Sequence, residues 1–350
     1  MSVAVDGGGG SHAPVAPVAI VGAGSWGTAL AIHLGRVGTP IRLWARDAGM
    51  ARAMRAAGDN ARYLPGCRLP DAVTVTADAA EALRGVEVVL IAVPSHVVEE
   101  VVEAVGGHVA PRAVLVSATK GLEPRRGRRI SLLLAERLPG RTVAVLSGPS
   151  FAREVAQGRP TALVVACADE QVAAALQRRL AGPALRLYTN RDVLGVELGG
   201  AVKNVMAIAT GLLDGVGLGE NARAALITRG LAEIVRLGTA VGAQRATFGG
   251  LAGLGDLVLT CTGTLSRNHA LGREVARGRP LAQVEADTPM VAEGVRTVRS
   301  VLRMAREVGV SMPICEEVAA VLFEGKAVAE ALASLLAREP RPEEERVPHA

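Results

Sequence analysis

Apolar positions in this chain fall into two regimes. In the first half, short β-branched runs bounded by glycine or proline recur: VAIV (18–21), IRLW (41–44), VEVVLIAV (86–93), AVLVSA (113–118), TVAVLS (142–147) and ALVVAC (162–167). Between several of them lie Ala- and Arg-rich stretches of helical length, such as TALAIHLGRVG and DEQVAAALQRRLAG. Continuous apolar runs alternating with helices predict βα units on a parallel sheet buried on both faces. From about Arg191 helix-period segments dominate, separated by Gly-rich turns, and a further strand is hard to find. The pattern predicts an α/β chain whose doubly wound sheet occupies residues 18–190 and whose all-helical domain occupies 191–338. Residues 1–17, with a Gly run and two prolines, read as a flexible leader without the basic and apolar regions of a secretory signal. Residues 339–350 read as a charged, Pro-broken tail.

The first strand runs into Gly22-x-Gly24-x-x-Gly27 and then a helix. Gly22 serves the tight turn, Gly24 lets a pyrophosphate approach the backbone, and Gly27 lets helix pack on strand. The helix N-terminus adds free N–H donors and a positive dipole end. This strand–loop–helix context points to a Rossmann-type dinucleotide-binding domain. A glycine turn in an unrelated α/β protein, or an S-adenosylmethionine loop, is the competing reading. At the tip of the second strand Arg46 comes first and Asp47 a residue late for the ribose, which favours the 2′-phosphate of NADP over NAD. A solvated loop arginine is the plainer alternative.

Only three of the 39 basic residues are lysine: Lys120, Lys203 and Lys326. A chain that otherwise writes arginine invites the question of where an ammonium that releases its proton is needed. Lys203 lies in NRDVLGVELGGAVKNVMAIATGLL, whose positions 194, 198, 202, 205, 208 and 212 fit one apolar helical face. Off that face, Lys203 leans over the turn holding Gly199 and Gly200. Two adjacent glycines make sense if something must approach the backbone there. Lys203 is therefore the general-acid candidate, against the alternative of a surface lysine on a tightly packed helix. Lys120, in SATKGLEP, follows a strand tip, where ligands bind in open α/β sheets. An exposed loop lysine is the other possibility, and Lys326 reads as surface.

SGPSFAREVAQGRP offers Gly148 and Ser150 at another strand tip, a ligand-lining loop or simply a turn. Further on, Asp256 follows a glycine run and Ser266-Arg267-Asn268 opens a helix. Arginine suits bidentate phosphate contact, and Asp256 suits holding a lysine in place. A helix cap at Ser266 and a solvated Arg267 are the structural alternatives.

The net charge of +5 is spread along the chain and aromatics number seven (two Trp, two Tyr, three Phe), which argues against nucleic-acid binding. Four widely spaced cysteines without a CxxC pair disfavour a zinc cluster and a disulfide framework, so no metal is expected and a reducing cytoplasm is the simple location. No run of about 18 uncharged apolar residues suggests a membrane span.

Together GAGSWGTALA, LWAR, SATKG, LSGPSFAREVAQGRPTA, the block from Tyr188 to Glu233 and TFGGLAGLGDLVLTCTGTLSRN resemble bacterial NAD(P)-dependent glycerol-3-phosphate dehydrogenase. The resemblance runs from about Val18 to Phe323. It implies interconversion of dihydroxyacetone phosphate and sn-glycerol 3-phosphate for phospholipid synthesis, with Lys203 as proton donor or acceptor. It implies that Lys120, Gly148, Ser150, Asp256, Ser266, Arg267 and Asn268 contact the triose or its phosphate. Ser25, Trp26, Arg46, Lys120, Ala152, Arg267, Val291 and Glu293 would touch the nicotinamide cofactor, and a homodimer is expected on the same ground. Two rivals stand beside it: a related two-domain dehydrogenase of hydroxy acids, and a cofactor-binding regulator without turnover.

Overall fold

A computed structural model describes residues 16–287, 291–339 and 342. The leader and tail expectations fall almost entirely outside them. Eight strands form the main sheet: β1 (Val18–Val21), β2 (Ile41–Trp44), β3 (Val73–Thr76), β4 (Val88–Ile91), β5 (Val114–Ser117), β6 (Val143–Ser147), β7 (Thr161–Ala166) and β8 (Leu185–Asn190). Their order is β8-β7-β6-β5-β4-β1-β2-β3, so the winding reverses at β1, between β2 and β4. Six strands run parallel, with Val18 opposite Ile41 on one side and Val88 on the other. Alternate residues enter two separate cores: Val18 and Ile20 one, Ala19 and Val21 the other. That double burial explains why these strands read as unbroken apolar runs.

The expectation of a wholly parallel sheet is corrected at one edge. β7 runs antiparallel to β6, and β8 is parallel to β7. Between β6 and β7 lies only the five-residue helix α1 (Ala152–Ala156), rather than the long crossover helix a parallel pair usually needs. As edge strands β8 exposes alternate positions and β3, whose apolar and polar residues alternate, exposes Thr74, so neither presents an apolar run to the eye.

After β8 the chain is helical. Its axis is α2 (Val193–Gly215), begun by Asp192, whose Oδ1 accepts the Gly195 N–H at 2.8 Å. Around it pack α3 (Gly219–Ala240), α4 (Asp256–Thr262), α5 (Arg267–Ala276) and α6 (Glu293–Glu307). The single apolar face expected of α2 is corrected: every residue from Gly195 to Leu213 is buried. By length and composition α2 is apolar enough to cross a membrane, although Glu197, Lys203 and Asp214 interrupt any long uncharged run. Its most apolar window is 89% buried inside the protein, as a core helix is. Glu197 ties α2 to the sheet's flanking helix Ile130–Arg137. Its carboxylate accepts the Ser131 N–H at 2.8 Å and hydroxyl at 2.5 Å.

Candidate active site

β1 delivers the glycine loop, and the helix Ser25–Arg36 begins directly after it. Gly22 has φ +115°, and a Cβ there would sit 2.6 Å from the Ala92 carbonyl oxygen. At Gly27 a Cβ would stand 1.9 Å from the Gly22 carbonyl oxygen, so the helix approaches the turn as only glycine allows. A Cβ on Gly24 would meet nothing within 4 Å. The space a diphosphate needs is thus open, over a helix start that has no side-chain cap. Trp26, in the same turn, buries its indole N–H without an acceptor. An open backbone cradle, an uncapped helix start and an orphan donor fit a bound dinucleotide. Asn60 props the loop from below, donating to the Ala23 carbonyl at 2.9 Å and the Thr28 hydroxyl at 2.8 Å.

Three elements converge beside this loop. Lys120 follows β5, Lys203 comes from the middle of α2, and Asp256 opens α4. Asp256 bridges the two lysines, its Oδ1 2.6 Å from Lys203 Nζ and its Oδ2 2.8 Å from Lys120 Nζ. A π-helical turn at Leu251–Gly255 sets the carboxylate there, and turns of that kind are frequent at functional sites. Lys120 also donates to the Gly148 carbonyl at 2.6 Å and the Ser150 hydroxyl at 3.1 Å, which uses all three of its donors. Gly148 aims that carbonyl with φ +128°. Lys120 Nζ lies 6.0 Å from the Trp26 ring centroid, which joins the ammonium cluster to the glycine loop.

Lys203 differs in one respect. It donates to Asp256 and, at 2.6 Å, to Thr260 Oγ1, leaving its third position without a partner among the described residues. Thr260 spends its own proton on the Asp256 carbonyl oxygen at 2.6 Å, so toward Lys203 it accepts. Burial brings the Lys203 pKa down from 10.5 to about 8; Asp256 opposes the fall and Lys120 adds to it. The net disadvantage to the ammonium, after Asp256 has offset part of the burial penalty, is roughly 3 kcal/mol. Neighbouring Cys261 is no competitor as a nucleophile, because burial pushes its thiol up to about 12.

The bare patch expected at Gly199 and Gly200 is filled by the protein itself. A Cβ on Gly199 would lie 2.7 Å from the Ala252 carbonyl oxygen, and one on Gly200 2.4 Å from Ser147 Oγ. The glycines seat the π-helical turn and β6 against α2, which is how Asp256 reaches Lys203.

Arg267 begins α5. Its side chain is accessible to water, yet desolvation by surrounding protein draws its pKa below the ordinary value, with Glu293 opposing. Its guanidinium has no hydrogen bond or ion pair among the described residues. Ser266 caps α5, its Oγ accepting the His269 N–H at 3.3 Å. Asn268 donates to Asn204 Oδ1 at 2.9 Å and accepts the Gly294 N–H at 3.0 Å. Asn204 donates in turn to the Lys120 carbonyl at 2.9 Å. Glu293, first in α6, accepts the Ser95 N–H at 2.9 Å and hydroxyl at 2.6 Å at the tip of β4.

Ala152 and Val291 are half-buried. Arg46 lies beyond β2, paired at 3.0 Å with Glu100. Asp47 caps the helix Ala48–Ala57, its Oδ1 accepting the Met50 N–H at 2.6 Å, so that carboxylate is already occupied. Sequence reasoning missed Thr260, Asn204, Ser95 and Asn60. Thr260 was findable, standing four residues after Asp256 on one helical face; the other three meet their partners only through tertiary folding.

A family model described as the N-terminus of NAD-dependent glycerol-3-phosphate dehydrogenase matches residues 17–173, and one described as its C-terminus matches 192–333. Glycerol-3-phosphate dehydrogenase (NAD(P)+) of Thioalkalivibrio sulfidiphilus is 50% identical over 328 residues, covering 93% of this chain and 98% of that one. The Streptomyces griseus protein of the same name is 48% identical over 327 residues, covering 93% and 97%. The crystal structure of glycerol-3-phosphate dehydrogenase from Coxiella burnetii superposes with a TM-score of 0.89 at 41% identity, covering 93% of this chain and 99% of that one.

Proposed function

The chain belongs to the NAD-dependent glycerol-3-phosphate dehydrogenase family, and from that premise we propose how its residues reduce dihydroxyacetone phosphate to sn-glycerol 3-phosphate. The reaction is reversible, uses NAD(P)H and feeds glycerophospholipid synthesis. Bound nicotinamide supplies the hydride. Gly22, Gly24, Ser25, Trp26 and Gly27 would hold its diphosphate side, Arg46 its adenosine end, and Lys120, Ala152, Arg267, Val291 and Glu293 the remainder. Within this reading residues 18–190 serve the dinucleotide and 191–338 the triose phosphate.

The observation that carries the reading is the buried Lys203–Asp256–Lys120 bridge. Two positions on Lys203 Nζ are fixed by Asp256 and Thr260. In the ammonium the third carries a proton; in the amine it carries the lone pair. One direction in space therefore serves proton donation during ketone reduction and proton abstraction during alcohol oxidation. With a pKa of about 8 the residue favours the acid role near neutrality and gives up its proton within reach of it. Lys120, held by three acceptors, contributes charge and position. Arg267 grips the phosphate, and binding energy there orients the distant carbonyl.

NADPH preference over NADH belongs to the same reading, supported by Arg46 and by the commitment of Asp47 to its helix. Cytoplasmic location is supported by four free cysteines, and the homodimer by family resemblance, with analytical ultracentrifugation as its test. Steady-state NADPH oxidation with dihydroxyacetone phosphate, set against unphosphorylated dihydroxyacetone, tests the function. Strong preference for the phosphate ester is expected. Equal rates would remove the phosphate grip, and no turnover with any triose phosphate would leave a cofactor-binding protein without chemistry.

A further inference from the structure

Arg46 stands two residues past the end of β2, while Glu100 lies on the helix Val98–Val105 that follows β4. β2 and β4 are the two neighbours of β1, on opposite sides of it. An ion pair between them therefore joins the segments that follow the carboxyl ends of the two strands flanking β1. In doubly wound sheets the adenosine half of a dinucleotide lies in the crevice outside these ends. Arg46 Nη1 and Glu100 Oε1 meet at 3.0 Å. Both side chains are about two-thirds exposed, at 63% and 67%, so neither is locked in place and each is free to turn toward a ligand. No other hydrogen bond or ion pair holds Glu100 among the described residues.

We propose that Glu100 is a specificity-determining residue for the adenosine end of the cofactor, acting against Arg46; this rests on the dehydrogenase reading above. A 2′-phosphate attracted by Arg46 must displace the carboxylate that neutralises it and then sit beside that carboxylate's charge. A ribose with a free 2′-hydroxyl has the opposite experience, since the carboxylate accepts its O–H. The pair thus sets a cation for NADP against an anion for NAD within one bond length of each other, and their balance explains how one crevice takes both. His96, after β4, has its pKa lowered first by burial; Arg296 and Arg46 lower it further and Glu100 opposes them. Without Glu100, Arg46 loses its ion-pair partner and the local charge becomes more positive.

Calorimetric titration of the full chain with NADP+ and NAD+, without substrate, tests this by binding alone. For Glu100→Gln, NADP+ affinity rises about five- to tenfold, the size expected of a charge roughly 6 Å away in a partly aqueous site, while NAD+ affinity stays level or falls. The shift shrinks in high salt, as it must between exposed charges. Glu103→Gln, the same charge change one turn along the helix and directed at Arg137, leaves the ratio unmoved. If Glu100→Gln changes both affinities by one factor, or weakens NADP+, or if Glu103→Gln matches it, the proposal is overturned. If the unsubstituted protein binds neither nucleotide, the dehydrogenase reading itself fails, an outcome distinct from an unmoved ratio.

Discussion

Replacing Asp256 by asparagine keeps the shape of the bridge and deletes its charge. Lys203 then loses the one strong influence that holds its pKa up, while burial and Lys120, both of which push it down, remain. At 2.6 Å and an effective dielectric of about 20, the lost attraction is about 6 kcal/mol before relaxation. Entering water and the amide's own hydrogen bond recover part of this. A net fall of about two pKa units, roughly 3 kcal/mol, is the expected remainder. Lys203 then titrates near pH 6 instead of about 8. Near pH 7 the ammonium fraction drops from roughly nine-tenths to roughly one-tenth.

The assay is kcat against pH for NADPH oxidation with saturating dihydroxyacetone phosphate, and the reverse reaction with glycerol 3-phosphate. Reduction requires the ammonium, so in the unsubstituted enzyme its rate declines above pH of about 8. Oxidation requires the amine, so its rate declines below the same point. In Asp256→Asn both limbs move to lower pH together. About tenfold of the lost reduction rate returns on acidification, beyond which only lost positioning remains. An Asp256→Asn profile that breaks at the original pH, or limbs that move in opposite directions, would show that Lys203 is not the titrating group.

Lys203→Ala should lower turnover by about 10³, within the range of general acid catalysis, with cofactor affinity retained; a loss under tenfold with the fold intact removes the role. Arg267→Ala should raise the KM for dihydroxyacetone phosphate by 10- to 100-fold, the worth of one or two charge-assisted hydrogen bonds, while at saturating NADPH unphosphorylated dihydroxyacetone is affected far less. Gly24→Ala and Gly27→Ala should separate binding from folding. The first, facing open space, keeps its thermal midpoint and loses NADPH affinity at least about tenfold; the second, forced 1.9 Å from a carbonyl oxygen, loses about 1–3 kcal/mol of stability or more. Arg46→Ala should weaken NADPH more than NADH in fluorescence titration, and equal weakening would refute a 2′-phosphate contact.

What the sequence made legible follows from which forces act locally. Six strands were readable because burial on both faces writes a continuous apolar run. β3 and β8 were not, because an edge strand alternates apolar with polar residues and looks like loop. The glycine loop was readable because turn geometry and helix approach each demand glycine at fixed offsets, and Gly22 and Gly27 meet those demands by contact with backbone. Gly199 and Gly200 show the limit of the same reasoning: close approach was correctly inferred, but a sequence cannot say whether the approaching group is ligand or protein. Here it is Ala252 and Ser147, and the consequence is larger than a lost binding patch. Because α2 is bare at Gly199 the 251–255 turn presses close enough for Asp256 to reach Lys203 at 2.6 Å, while Gly200 admits Ser147 of β6. The glycines that seemed to clear room for a substrate instead set the acidity of the residue that protonates it.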